Sequence, residues 1–285
     1  MRNDITPTPM MQRYLLDNLL IGKVHHIEAL ELMRLLPDAS VDAIITDLPY
    51  GTTACAWDEI IPFAPMWEGV KRVLKPRGAF VTTASQPFTS ALVMSNPAWF
   101  KYELIVDKVL PTGYLDANRR PLKVHENILV FSESQSIYNP QLSMGASPYK
   151  KTRSMAAAIY NKHERTSVQS AGERYPTSII RFSFGDHTRI QHPTQKPVDL
   201  YRYLIKTYTQ PGDLVLDFCC GSATTAEAAR AEGRRWICGE KEAEIVAVAR
   251  DRLRMPFERR HVPMNNDVSE LPLFAANQIS VPEFT

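Results

Sequence analysis

Apolar and polar positions along the 285-residue chain group into two stretches in which short apolar runs alternate with helical periods. The first opens at Val41-Asp42-Ala43-Ile44-Ile45-Thr46, a β-branched run that follows the turn-forming Pro37-Asp38-Ala39-Ser40 and predicts a short buried strand. That strand runs out into the loop Asp47-Leu48-Pro49-Tyr50-Gly51. A helical stretch follows from about Met66 to Leu74, then the turn Lys75-Pro76-Arg77-Gly78, a strand over Ala79 to Thr83 and a helix from about Phe88. The second stretch begins near Lys196 with a helical run to Tyr208, the turn Gln210-Pro211-Gly212-Asp213 and the apolar strand Leu214-Val215-Leu216. After the loop Asp217 to Ala223 come a helix over Thr224 to Glu232, a strand over Arg235 to Gly239 and a helix over Glu242 to Arg254. Strand and helix alternating in this way is the pattern of a parallel sheet, so an α/β fold is expected.

Between the two stretches, from about Pro111 to Ile190, the alternation is lost apart from an apolar strand at Asn127-Ile128-Leu129-Val130-Phe131. Basic residues gather there, Arg119, Arg120, Lys123, Lys150, Lys151 and Arg181 among them, and they outnumber the acidic ones. The tail after Pro256 lacks a helical period and is expected to be extended or frayed.

Composition narrows the class without naming it. A net charge of +2 neither demands nor excludes a nucleic-acid partner. No apolar run approaches the ~20 residues of a membrane span, and the start, Met1-Arg2-Asn3-Asp4, lacks the build of a secretory signal. A cytoplasmic protein without membrane attachment is therefore expected. Cys55, Cys219, Cys220 and Cys238 show no CxxC spacing and no histidines at zinc-ligand spacings, so neither a disulfide framework nor a metal site is expected.

Candidate chemistry lies in the two strand-end loops, which in a doubly wound sheet share the edge where ligands bind. In Asp217-Phe218-Cys219-Cys220-Gly221-Ser222-Ala223-Thr224-Thr225 the small residues let backbone approach a ligand just before a helix N-terminus, which suits a nucleotide-like or carboxylate group. The loop has neither the Gly-Lys-Ser/Thr of a Walker loop nor a full GxGxxG, and tight strand–helix packing explains it equally well. Glu240, at the end of the next strand, can accept hydrogen bonds from ribose hydroxyls; a solvated acid starting a helix is the plainer reading. Asp47-Leu48-Pro49-Tyr50 combines a carboxylate, a rigid turn and an aromatic ring, which suits a planar base with an amino group but also fits an ordinary turn.

Taken together, these loops resemble a known family. Asp47-Leu48-Pro49-Tyr50 is similar to the D/N/S-P-P-Y/F/W motif of the amino-methyltransferases, Asp217 to Thr225 resembles their cofactor loop, and His192-Pro193-Thr194-Gln195-Lys196-Pro197 resembles the HPTxKP segment before it. Catalytic loop first and cofactor loop late is the permuted order of the β-class DNA amino-methyltransferases. The resemblance covers roughly residues 20 to 255 and rests on three motifs in order. Leu48 replaces the first Pro of the family motif, and Phe218, Cys219 and Ala223 stand where Pro, Phe and Gly are usual.

The resemblance implies a Rossmann-like S-adenosylmethionine-dependent methyltransferase fold in one domain over residues 1–285. Within it lie a catalytic half at 20–110, a target-recognition insertion at 111–190, a cofactor-binding half at 191–255 and a tail at 256–285. It assigns Asp47, Leu48, Pro49 and Tyr50 to the target base, with the Leu48 carbonyl as an acceptor for the amino group. It assigns Asp217, Cys219, Gly221, Ser222, Glu240, Thr194 and Lys196 to the neighbourhood of S-adenosyl-L-methionine. His125, in a stretch like a family strand near the base pocket, is expected to pack or hydrogen-bond rather than react.

The expected function is site-specific methylation of adenine N6 in double-stranded DNA by base flipping, without a metal. Asp at position 47 is the adenine-like choice, where Ser is more typical of the N4-cytosine enzymes; cytosine N4 methylation and a DNA-binding protein that has lost catalysis are the alternatives. Arg119, Arg120 and Lys123 are the expected DNA contacts, as the densest basic group between the two loops. The family resemblance is compatible with a homodimer and with a role in restriction–modification, and leaves any restriction partner undetermined.

Overall fold

A computed structural model describes residues 8–53, 55, 58–145, 147–152, 167–184 and 195–254. Its strands are β1 (Val24–His26), β2 (Val41–Asp47), β3 (Leu74–Ala84), β4 (Phe100–Thr112), β5 (Lys123–Phe131), β6 (Ser143–Met144), β7 (Tyr149–Thr152), β8 (Ser167–Ser170), β9 (Glu173–Arg174), β10 (Ile179–Arg181), β11 (Leu214–Asp217) and β12 (Arg235–Glu240). The α-helices are α1 (Pro9–Leu15), α2 (Ala29–Leu35), α3 (Phe63–Val73), α4 (Phe88–Ser95), α5 (Val198–Tyr208), α6 (Thr224–Ala231) and α7 (Ala243–Arg254). Eight of the strands form one sheet in the order β1-β12-β11-β2-β3-β5-β4-β10. All neighbours are parallel except β5, which runs antiparallel to β3 and β4. Among the described residues no helix is long and apolar enough to cross a membrane.

Period-two alternation decides which residues serve which face of the sheet. Ile44 of β2, Phe80 of β3, Phe131 of β5 and Leu216 of β11 face one core with Leu32 and Met33 of α2, Met66, Trp67 and Val70 of α3, and Leu92 of α4. Their neighbours Ala43, Ile45, Val81, Val130 and Val215 face a second core with Leu200, Tyr201, Leu204 and Tyr208 of α5 and Ala228 of α6. Central strands buried on both sides need near-continuous apolar runs, which is what β2 and β11 have. Helices of three-and-a-half turns or fewer therefore cover the sheet on both faces, in an α/β/α sandwich.

The elements expected from periodicity are all present, with shifted ends. The expected turn at Lys75 to Gly78 lies inside β3, because Leu74 already pairs with Val41 before a register shift leads to the Ala43–Ala79 pairing. Absent from the expectation were α1, β1, α2, β4 and, within 111–190, β6 to β10. In β4, Lys101, Glu103, Asp107 and Lys108 interrupt the apolar pattern of a strand near the sheet edge.

The segment 111–190 is not an insertion throughout. Its strand β5 sits between β3 and β4 with Ile128, Leu129, Val130 and Phe131 fully buried, and β10 pairs with β4. The segment lost the strand–helix alternation because β5 enters as an antiparallel hairpin partner, which requires no crossover helix. Of the strands among the described residues of this segment, the small pairs β6·β9 and β7·β8 lie off the main sheet.

Phe131 packs against Trp67, Phe80 and Phe100 at ring-centroid distances of 5.0, 5.8 and 5.6 Å. Phe131→Ala is expected to lower unfolding stability by about 3–5 kcal/mol in a denaturant titration. A loss under 1 kcal/mol would mean that β5 belongs to a separable insertion after all.

Candidate active site

Since β2 and β11 are adjacent and parallel, their C-terminal ends deliver the two candidate loops to one edge of the sheet. The Thr46 hydroxyl joins them by donating to Asp217 Oδ1 at 2.7 Å. Asp217 also accepts from the Thr225 hydroxyl at 2.5 Å and from the Cys219 backbone N–H at 3.1 Å. Burial pushes its carboxyl up to about 7, against the opposing pull of these hydrogen bonds. Enclosed by protein donors, Asp217 braces the loop from beneath.

Above it the loop turns through Gly221, whose φ is +49°, and an added Cβ there would meet no atom within 4 Å. The Gly221 N–H donates to Glu240 Oε2 and the Glu242 N–H to Oε1, each at 3.0 Å. Each oxygen of this buried carboxylate keeps a further lone pair for a ligand. Ala223 adopts a left-handed φ of +63°, so alanine keeps the conformation that glycine would take, at a cost of about 1–2 kcal/mol. Phe218 is built into the core beneath, while Cys219 is partly exposed at the loop. Burial pushes the Cys219 thiol up, so it carries no reactive thiolate.

Arg252 of α7 holds the loop from outside. Its guanidinium donates to the Ser222 carbonyl, the Ser222 hydroxyl and the Thr224 hydroxyl, each at 3.0 Å, and pairs with Glu227 at 2.5 Å. The Ser222 hydroxyl in turn donates to Gln195 Oε1 at 3.3 Å.

On the neighbouring loop, Asp47 Oδ1 accepts from the Tyr50 hydroxyl at 2.8 Å and from the Thr83 hydroxyl of β3. Lys196 Nζ stands 2.9 Å from Asp47 Oδ2 and 3.5 Å from Glu126, which is itself 3.5 Å from Lys108. Burial works to lower the Lys196 ammonium, but the facing carboxylates of Asp47 and Glu126 outweigh it and hold the group charged. Burial, reinforced by the same carboxylates, keeps Tyr50 a neutral phenol. The Tyr50 ring stacks on Phe88 with centroids 5.3 Å apart, and Lys196 Nζ lies 5.8 Å from its centre. Leu48 is buried in the core and Pro49 is half-buried.

A carboxylate beside an aromatic ring, next to an open glycine turn backed by a second carboxylate, can hold an amino-bearing base against a nucleoside cofactor. The model of the DNA methylase family of N6 and N4 methyltransferases matches residues 41–251. The chain belongs to this family.

The methylase is 27% identical over 247 residues to the type II methyltransferase M1.MboII of Moraxella bovis, across 79% of this chain and 94% of that protein. In fold it is similar to the M1.HpyAVI–SAM complex, with a TM-score of 0.56, 24% identity and coverage of 82% of this chain and 99% of the other. It is also similar to the cytosine-N4-specific PvuII DNA methyltransferase, with a TM-score of 0.58, 18% identity and coverage of 87% and 92%. The fold is the Rossmann-like fold of S-adenosylmethionine-dependent DNA methyltransferases.

Most of the site residues expected from sequence come together at this edge, with two redistributions. The side chain of Lys196, expected beside the cofactor, is aimed instead at Asp47, and only its carbonyl reaches the cofactor loop, accepting from the Thr224 hydroxyl at 3.3 Å. The basic trio is split: Arg119 and Arg120 are exposed beyond β4, Arg120 pairing with Asp116 at 2.5 Å, whereas Lys123 is half-buried and donates to the Ser85 hydroxyl. Burial lowers the Lys123 ammonium, although Glu126 opposes this. His125 is exposed on β5. Thr194, like His192 and Pro193, lies outside the described residues. Thr83, Lys108, Glu126 and Arg252 were not expected, since single polar residues on distant strands and helices carry no local pattern.

Asp217 generates a pH dependence of known sign. Its folded carboxyl titrates near 7, above the ~4 of an unfolded aspartate, so the folded state alone keeps the proton in between and stability falls as pH rises through that window. In urea titrations between pH 4.5 and 8, the wild-type protein is expected to lose on the order of a few kcal/mol relative to Asp217→Asn. Parallel curves for the two proteins would place the Asp217 titration outside this range.

Proposed function

We propose that this methylase transfers a methyl group from S-adenosyl-L-methionine to the N6 amino group of adenine within a specific site in double-stranded DNA. The observation that carries the reading is Asp47, held by Tyr50 and Thr83 at the sheet edge beside the open turn at Gly221. Bound S-adenosylmethionine supplies an electrophilic methyl group, so the protein's task is to position a weakly nucleophilic amino nitrogen. Glu240 takes the ribose hydroxyls, and the Gly221 to Thr224 turn at the start of α6 faces the amino-acid end.

On the base side, Oδ1 of Asp47 is engaged by two hydroxyls and Oδ2 by Lys196, which leaves Oδ2 a lone pair for one amino hydrogen. The Leu48 carbonyl takes the other. These acceptors favour a lone-pair-bearing nitrogen and stabilise the positive charge that develops on it during transfer. An amino group inside a duplex is already paired, so the base leaves the stack to reach Asp47, and Tyr50 replaces part of its lost stacking. Arg119 and Arg120, exposed in the connection between β4 and β5, meet DNA phosphates. Adenine is supported by Asp at position 47; the fold likeness to the cytosine-N4-specific PvuII enzyme favours cytosine N4 as the second reading.

Incubating unmethylated bacterial DNA with the protein and isotopically labelled cofactor, then resolving the nucleosides by mass spectrometry, is expected to give N6-methyl-2′-deoxyadenosine. Labelled N4-methyl-2′-deoxycytidine would overturn the adenine reading, and no label in either would overturn methyl transfer to DNA.

The two carboxylates should separate by function. Asp47→Ala is expected to lower kcat by ~100-fold or more with cofactor affinity kept. Glu240→Ala is expected to weaken cofactor binding by about 1.5–3 kcal/mol in calorimetry. Equal effects of both variants on cofactor affinity would merge the two proposed subsites.

A further inference from the structure

Four consecutive backbone N–H groups just after the Asp47 motif converge on one side chain. Asp58 Oδ1 accepts from Tyr50 at 2.6 Å and from Gly51 at 3.0 Å; its Oδ2 accepts from Thr52 at 2.8 Å and from Thr53 at 2.7 Å. Successive N–H groups turned to one side form a nest, a concavity of partial positive charge suited to an anion. Here the chain fills the nest with its own carboxylate, and Asp58 is only 6% exposed. Burial works to raise its carboxyl, but the hydrogen bonds from Thr53, Gly51 and Thr52 outweigh it and hold Asp58 below the usual carboxylate range.

The nest needs a left-handed residue, and Gly51 supplies it with φ +65°. A side chain there would also meet Ile60, whose Cγ1 stands 2.9 Å from the position of an added Cβ. Gly51 and Asp58 therefore act as a pair: one lets the backbone curl, and the other neutralises the N–H groups that the curl exposes.

We propose that Asp58 is a positioning residue for the methyl-transfer reaction, clamping residues 50–53 so that Tyr50 keeps its contact with Asp47 when DNA arrives. It touches neither base nor cofactor. Its effect passes through the Tyr50 backbone to the Tyr50 hydroxyl, which donates to Asp47 at 2.8 Å. An uncommitted nest beside a polyanionic substrate would attract a DNA phosphate into the loop; the internal carboxylate prevents that. Charge-assisted bonds of this kind are about twice as strong as neutral ones. A misplacement of ~1 Å at a reacting group can cost ~100-fold in rate.

This inference rests on the assignment of Asp47 and Tyr50 to the target base, and the test separates the two. Asp58→Asn keeps size but turns an amide NH2 toward two of the four donors. Hydrogen exchange read by mass spectrometry on a peptide covering residues 48–55 reports the clamp without reference to activity. Exchange there is expected to rise at least ten-fold in the variant, with the remaining sheet unchanged. In parallel, labelled-methyl transfer to unmethylated DNA is expected to show kcat lowered ten- to a hundred-fold, with KM for DNA and affinity for S-adenosylmethionine within three-fold of wild type. Asp58→Glu, which restores both oxygens, is expected to recover part of kcat. Unchanged exchange, a kcat within two-fold of wild type, or a parallel fall in thermal midpoint and cofactor affinity would each overturn the positioning role. Raised exchange in the variant together with no transfer by the wild-type protein would leave the clamp standing and overturn the functional reading instead.

Discussion

A hydrogen bond of 2.7 Å between the Thr46 hydroxyl and the Asp217 carboxyl ties together the last residues of β2 and β11, two adjacent interior strands of the sheet. Strand adjacency brings the loops near each other, and this bond sets their relative height. Without donors, a buried carboxyl would cost several kcal/mol; with Thr46, Thr225 and the Cys219 N–H around it, Asp217 becomes a fixed joint. The glycine turn is built upward from that joint, and Asp47 begins one residue after Thr46. The spacing between Asp47 and the Gly221 turn thus follows from a contact beneath both loops.

Above this joint the charges are arranged in alternating sign, from Asp47 to Lys196 to Glu126 to Lys108. Buried ion pairs contribute little net stability, because desolvation offsets most of the Coulomb gain. Their value here is orientational. Lys196 reaches Asp47 through its side chain and Thr224 through its carbonyl, so the segment before α5 spans both loops. Lys196 thereby links the loop that starts α6 to the Asp47 carboxylate.

The antiparallel strand β5 contributes the far wall of the same site. By entering between β3 and β4 it places Glu126 and Lys123 at the edge where the parallel strands end. Beyond it, exposed Arg119 and Arg120 continue the basic character outward, while Lys123 faces inward to Ser85. One short basic cluster in the chain is thus divided between an outer surface and an inner wall.

By itself the sequence determined what is local. Apolar runs with turn residues at their ends located β2, β11, β12 and the helices between them, because burial on two faces leaves a continuous apolar signature. Motif order was equally legible, and with it the family and the two strand-end loops, after β2 and β11, that meet at one edge of the sheet. Tertiary structure alone decided how β5 inserts, that Lys196 points to Asp47 rather than to the cofactor loop, and that Lys123 parts from Arg119 and Arg120. It also decided which polar residues brace the loops: Thr83 on β3, Arg252 on α7 and Asp58 beyond the motif loop. The physical reason is range. Periodicity and turn chemistry are set by a few neighbouring residues, whereas the partner of a charged or hydroxyl side chain is set by strand order and register, which no short window of sequence contains.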